Sequence, residues 1–199
     1  MRSKLGDISN MRTFNDFKSY FATKGVSLTS DSNALMTTDA NNPNHTAVYE
    51  QLQIIVTAYE TYTSLYGKKV LSKLKRINVY DNTLDTTAAY HYDEKGSPHD
   101  PWAGTIRIRN WSAAGRVVFH EMAHAMQDSL AKKGEDAVES GNRIVKAVPL
   151  PSSIRTYTGV NKAVIDVERF ADAMALAFSR GNKDAMSYVM DLKRNIKKI

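Results

Sequence analysis

Phe14, Phe17 and Phe21 recur at intervals of three and four, which predicts a short helix over residues 13–24 that stops near Gly25. The polar stretch 31–45 reads as a loop. Over 46–66 the helical period returns, with Val48, Leu52, Ile55, Tyr59 and Tyr62 or Tyr66 on one side and Gly67 at the end. The period then shortens to two. Residues 76–80, 87–92 and 105–109 are strand candidates, giving a sheet of at least three strands. In Thr105-Ile106-Arg107-Ile108-Arg109 polar and apolar side chains alternate, which is read as a half-buried edge strand. Ser112 is a natural N-cap for a helix over 113–131, whose apolar surface is Val117, Val118, Met122, Ala125 and Met126. Helices are also expected over 136–148, closed by Pro149 and Pro151, over 162–180 and over 183–197. The expectation is an α+β chain, rich in helix, whose small mixed or antiparallel sheet presents an edge strand just before the 113–131 helix.

With 199 residues, 42% of them hydrophobic, the chain can bury one core. A single domain over 1–199 is expected, with a helical part over about 1–70 and the sheet and remaining helices over about 71–199. Cysteine is absent, which excludes disulfides and thiolate metal sites. The N-terminus lacks the apolar run of a signal peptide, and no segment approaches membrane-spanning length. A soluble chain made in the cytoplasm is expected, compatible with specialised export or packaging in a viral particle. The net charge is +6 and the pI near 9.4. Its clusters, Lys68, Lys69, Lys73, Lys75 and Arg76, then Lys193, Arg194, Lys197 and Lys198, come with no nucleic-acid motif and read as solvated faces rather than a nucleic-acid surface.

The chemistry sits in His120-Glu121-Met122-Ala123-His124. On a helix, positions four apart project from one face, so the two imidazoles can meet one metal ion. Glu121 lies beside that face, within reach of a metal-bound water. Gln127 and Leu130 stand where a metzincin needs Gly and His, which excludes that subclass. His45, His91 and His99 lie upstream in segments rich in Asp, Asn, Gly and Pro and read as surface loop residues. On the 162–180 helix, Val164, Val167, Ala171, Met174, Ala175 and Phe178 form an apolar stripe, while Glu168 and Asp172 are four apart. A carboxylate from that helix completes a two-His, one-Glu zinc site with an open fourth position, as catalytic zinc requires. Asp172, one turn on, would accept the ring N–H of His120.

His120-Glu121-x-x-His124-Ala125-x-x-Asp128, followed by Glu168-Arg169-Phe170-Ala171-Asp172-Ala173-x-Ala175, resembles the catalytic domain of the anthrax lethal factor family and the related Pro-Pro endopeptidases, which are zincins of the gluzincin type. The resemblance covers roughly residues 100–180. It implies a zincin-like fold, one Zn²⁺ per chain held by His120, His124 and Glu168, Glu121 as general base, and an assisting Tyr, matched here by Tyr157. Tyr157 lies farther upstream of the ligand Glu than the family pattern has it, and Asp172 stands where the relatives carry Glu. The expected activity is that of a zinc endopeptidase that cleaves peptide bonds with a Glu-assisted, zinc-bound water. Tyr157, or Arg155 in its place, would support the oxyanion. The substrate is expected to lie extended along the edge strand, pairing through main-chain hydrogen bonds. Trp102 and Trp111 bracket that strand and are read as packed structural residues before subsite walls. The alternatives are a zincin-fold module for binding or assembly, to which an intact Glu121 would contribute nothing, and a basic nucleic-acid-binding protein with a fortuitous motif.

Overall fold

The computed structural model describes residues 10–31, 45–80, 88–92, 100–109, 115–154 and 165–199. In chain order these form α1 (Phe14–Ala22), β1 (Ser27–Ser30), α2 (His45–Tyr66), β2 (Arg76–Tyr80), β3 (Ala88–His91), β4 (Thr105–Arg109), α3 (Gly115–Leu130), α4 (Ala137–Ala147), α5 (Ile165–Arg180) and α6 (Lys183–Asn195). Short 3-10 turns follow α2 and α6. Among the described residues the architecture is therefore α+β, with six α-helices and a small mixed sheet. Local chemistry sets several boundaries. Thr13 and Asp16 close a capping box at the start of α1, as Asp136 and Glu139 do for α4, so the first backbone donors of each helix are satisfied by side chains.

The strand order is β1-β2-β4-β3. β1, β2 and β4 run parallel, and β3 closes the far side antiparallel to β4. This overturns the reading of Thr105–Arg109 as an edge: β4 pairs with Arg76–Tyr80 on one side and with Ala88–His91 on the other. Side-chain alternation reports the two faces of a strand and says nothing of whether its lateral hydrogen bonds are taken. Ile106 and Ile108 enter the core, while the Arg107 guanidinium lies 4.4 Å from the Trp102 ring and 4.7 Å from that of Tyr80. Trp102 therefore packs against Arg76 and Arg107, and among the described residues β3 is the edge next to α3. β1 is an addition to the expected elements. Its Ser-Leu-Thr-Ser carries one apolar residue, the fully buried Leu28, too short a signal to show a period.

One hydrophobic cluster joins the layers, from Phe17 and Phe21 of α1 through Ile55, Tyr59 and Tyr62 of α2 to Met122 and Met126 of α3 and Phe170 and Met174 of α5. α3 and α5 share the most extensive helix contact. Gly141 lets α4 lie against α5: a Cβ there would come within 2.7 Å of Val167 Cγ2. From the other side, the buried Tyr62 hydroxyl donates to the Phe119 carbonyl at 2.8 Å, tying α3 to α2. Among the described residues no helix is long and apolar enough to cross a membrane.

Candidate metal centre

His120 and His124 project from one face of α3 toward Glu168 of α5. Their Nε2 atoms lie 3.0 Å apart. His120 Nε2 is 3.2 Å from Glu168 Oε2, and His124 Nε2 is 3.7 Å from Glu168 Oε1. Tetrahedral zinc, with bonds of roughly 2.0–2.1 Å, places its ligand atoms about 3.3 Å apart. The three side chains therefore match the spacing of such a site and form a group that could hold a metal ion. They bring nitrogen and oxygen donors with no thiolate, a set that zinc accepts.

Each imidazole is oriented from behind. His120 Nδ1 donates to Asp172 Oδ1 at 3.2 Å, and the same oxygen accepts from Arg116 Nη2 at 3.1 Å. His124 Nδ1 is 2.8 Å from the Tyr92 hydroxyl, which reaches it from the residue just after β3. Sequence reasoning assigned roles to neither Tyr92 nor Arg116. Arg116 was open to detection, since it continues the four-residue stripe Arg116, His120, His124, Asp128. Tyr92 carried no comparable signal, because only the packing of β3 against α3 brings it to the site.

The electrostatics separate the two rings. Burial pulls His120 down, but its hydrogen bonds to the carboxylates of Asp172 and Glu168 outweigh that and hold it at about 9. His124, more deeply buried and beside the cationic His120, is pushed down to about 3. The hydrogen bond to His120 holds Glu168 below the usual carboxylate range.

Glu121 is only 6% exposed. Burial raises it to about 7, against the opposing pull of His120. Its carboxylate accepts from the Tyr90 backbone N–H, whereas Oε2 is buried without a hydrogen-bond partner. A buried carboxylate oxygen left without a hydrogen bond carries a desolvation cost, a feature that calls for an explanation in function.

Of the other residues singled out in the sequence, Tyr157, Arg155, Trp111, Ser112 and His99 lie outside the described residues. His91 is on β3 rather than in a loop, 3.9 Å from Asp100, and takes no part in the His120–His124–Glu168 group. Asp128, one turn beyond His124, accepts from Lys73 Nζ and from the Tyr90 hydroxyl, both at 2.7 Å. One lysine of the basic cluster around residue 70 is thereby tied to α3.

Similarity to known proteins adds nothing to this geometry. No family model, curated protein or solved structure matches the chain.

Proposed function

We propose that this chain is a zinc-dependent endopeptidase of the gluzincin type with a zincin-like arrangement of helices. One observation carries the reading. A buried carboxylate with an unsatisfied oxygen, Glu121, stands on the same helix as two imidazoles that converge with Glu168 at zinc-ligand spacing. A site that merely holds a structural ion has no use for such a carboxylate. The likeness of His120-Glu121-x-x-His124 and Glu168-Arg169-Phe170-Ala171-Asp172 to the lethal factor and Pro-Pro endopeptidase families supports the same reading.

His120, His124 and Glu168 would hold the ion, and both imidazoles would be neutral in doing so. When bound, zinc lowers the pKa of water to about 7 and polarises the scissile carbonyl. The remaining work falls to the chain itself. Glu121 takes a proton from the attacking water as its oxygen adds to the carbonyl carbon. It then gives that proton to the departing amine as the C–N bond breaks. A carboxylate held near 7 by burial suits both transfers, although a nearby dication will draw it lower. Asp172 keeps the His120 ring fixed by accepting its Nδ1–H. Tyr157, with Arg155 as the alternative, is proposed to donate to the carbonyl oxygen as negative charge builds there. The substrate would pair in extended form with β3, the edge strand beside α3, instead of β4.

The test joins elemental analysis of the purified protein to cleavage of a peptide library by wild type and Glu121→Gln. The expected result is one zinc per chain in both proteins, with turnover reduced by about 10²–10⁴-fold in the variant. Cleavage undiminished in Glu121→Gln would remove the general base. Zinc without cleavage by either protein would favour a binding or assembly module, and a chain without zinc would return attention to its basic surface.

A further inference from the structure

One turn before His120, α3 borders a cavity. It has a volume of about 410 Å³ and lies between α2, the start of α3 and the end of α5. That is within the range of about 300–1,000 Å³ typical of small-molecule sites. Its apolar wall is Ile54 with Phe119 and Phe178, the two rings 5.5 Å apart. Among the described residues its charged groups are Arg116 and Arg180, and no acidic residue lines it. Two hydroxyls, Thr57 and Ser179, also face it, but each spends its proton on a carbonyl of its own helix, Gln53 O at 2.8 Å and Ala175 O at 2.6 Å. The side-chain donors left for a ligand are therefore guanidinium groups. Arg116 commits Nη2 to Asp172 Oδ1, and a guanidinium carries five N–H donors in all.

We propose that this cavity binds a small carboxylate with an apolar body: the headgroup is held between Arg116 and Arg180, and the alkyl or aryl part lies on the two phenylalanines. Arg180 makes no described ion pair and Arg116 gives only Nη2 to Asp172, so donors of both cations are left for an anion, and the paired rings favour a ligand that carries hydrocarbon behind its charge. Occupancy also reaches the metal centre. A carboxylate at Arg116 offsets the positive charge that Arg116 places on Asp172, so Asp172 becomes a stronger acceptor for the His120 ring N–H and the site a better host for a dication. Binding in the cavity is independent of the proposed peptidase reading; the coupling to the metal rests on it.

Octanoate is the first probe, titrated calorimetrically into the full chain, with 1-octanol as the neutral control and acetate as the headgroup alone. Octanoate is expected to bind at least tenfold more tightly than either, and Arg180→Gln to weaken it at least tenfold. Arg180 is exposed and makes no described ion pair, so the variant is expected to fold, which circular dichroism checks. Octanol binding as tightly as octanoate, or unchanged octanoate binding in folded Arg180→Gln, would overturn the site. N-acetyl-phenylalanine in the same titration separates a peptide carboxyl end from a free alkyl acid as the source, and tight binding of either supports the chemistry. For the coupling, saturating octanoate should tighten zinc binding about threefold in wild type and leave Arg180→Gln unmoved. An unshifted zinc affinity in wild type refutes the coupling, and failure to bind zinc at all refutes the metal reading with it; in both cases the calorimetry still decides whether the cavity binds carboxylates.

Discussion

Arg116, His120, His124 and Asp128 form one stripe along α3, yet its two ends are built on opposite terms. At the Asp128 end the network is closed. Both carboxylate oxygens are met, by Lys73 Nζ and by the Tyr90 hydroxyl, and the Lys73 backbone N–H donates to Ser129 Oγ at 3.0 Å. At the His120–His124 end the polar groups are oriented from behind by Asp172 and Tyr92, but their forward atoms crowd against one another, and Glu121 Oε2 has no partner. A buried polar cluster that satisfies itself holds a fold together, whereas one organised around a shared point is arranged for something that arrives later.

Substitutions at the two ends should therefore separate binding from stability. The largest effect is expected at His124→Ala, which removes one of the three proposed ligand atoms and should weaken zinc by on the order of a thousandfold. Zinc content after dialysis checks it, and a variant that retains full occupancy would break the ligand assignment. At the closed end, Asp128→Ala should do the reverse, costing about 2 kcal/mol in urea unfolding because it strips an acceptor from the buried Tyr90 hydroxyl and from Lys73. Zinc content should not change. If Asp128→Ala instead lost zinc while keeping its stability, the division of the stripe would collapse. Tyr92→Phe tests the boundary between the ends. It deletes one hydroxyl behind His124 and should lower zinc affinity by about tenfold, read by chelator competition, with little change in unfolding.

What the sequence disclosed follows from what periodicity encodes. A helix writes its face into the chain at fixed intervals, so His120, His124, Glu168 and Asp172 could be placed on their helices and faces before any fold was considered. The long helices and the strands β2 and β4 were legible for the same reason. Lateral pairing in a sheet leaves no such mark. Ile106 and Ile108 announce a core-facing side but not the neighbours of β4, and so the edge was assigned to the wrong strand. Lys73, Tyr90 and Tyr92 reach α3 from a turn and from in and beside an edge strand, and contacts between elements are fixed only by packing. The strand β1 could not be foreseen either, since four residues with one buried leucine carry no readable alternation.

The smallest expected effect lies at the close of the same helix and asks how far the closed end extends. Arg143 of α4 donates through Nε and Nη2 to the two oxygens of Glu135, each at 2.7 Å, and Nη2 also donates to the Leu130 carbonyl at 2.8 Å. One guanidinium thus satisfies the last residue of α3 and an acid in the turn that follows it. The Arg143 hydrogen bonds hold Glu135 down at about 2, below its ordinary 4.5. Because the folded value is the lower one, the stabilisation is present above about pH 4.5 and is lost as the pH falls from there toward 2. Near the surface, solvent screening limits the contribution to about 1 kcal/mol. Urea unfolding of wild type and Glu135→Gln should therefore differ by about that amount at pH 6, and the gap should narrow at pH 3.5 as the unfolded chain takes up the proton that the folded one refuses. A gap that widened on acidification would mean that Glu135 is not held ionised by Arg143, and that the closed network stops at Asp128.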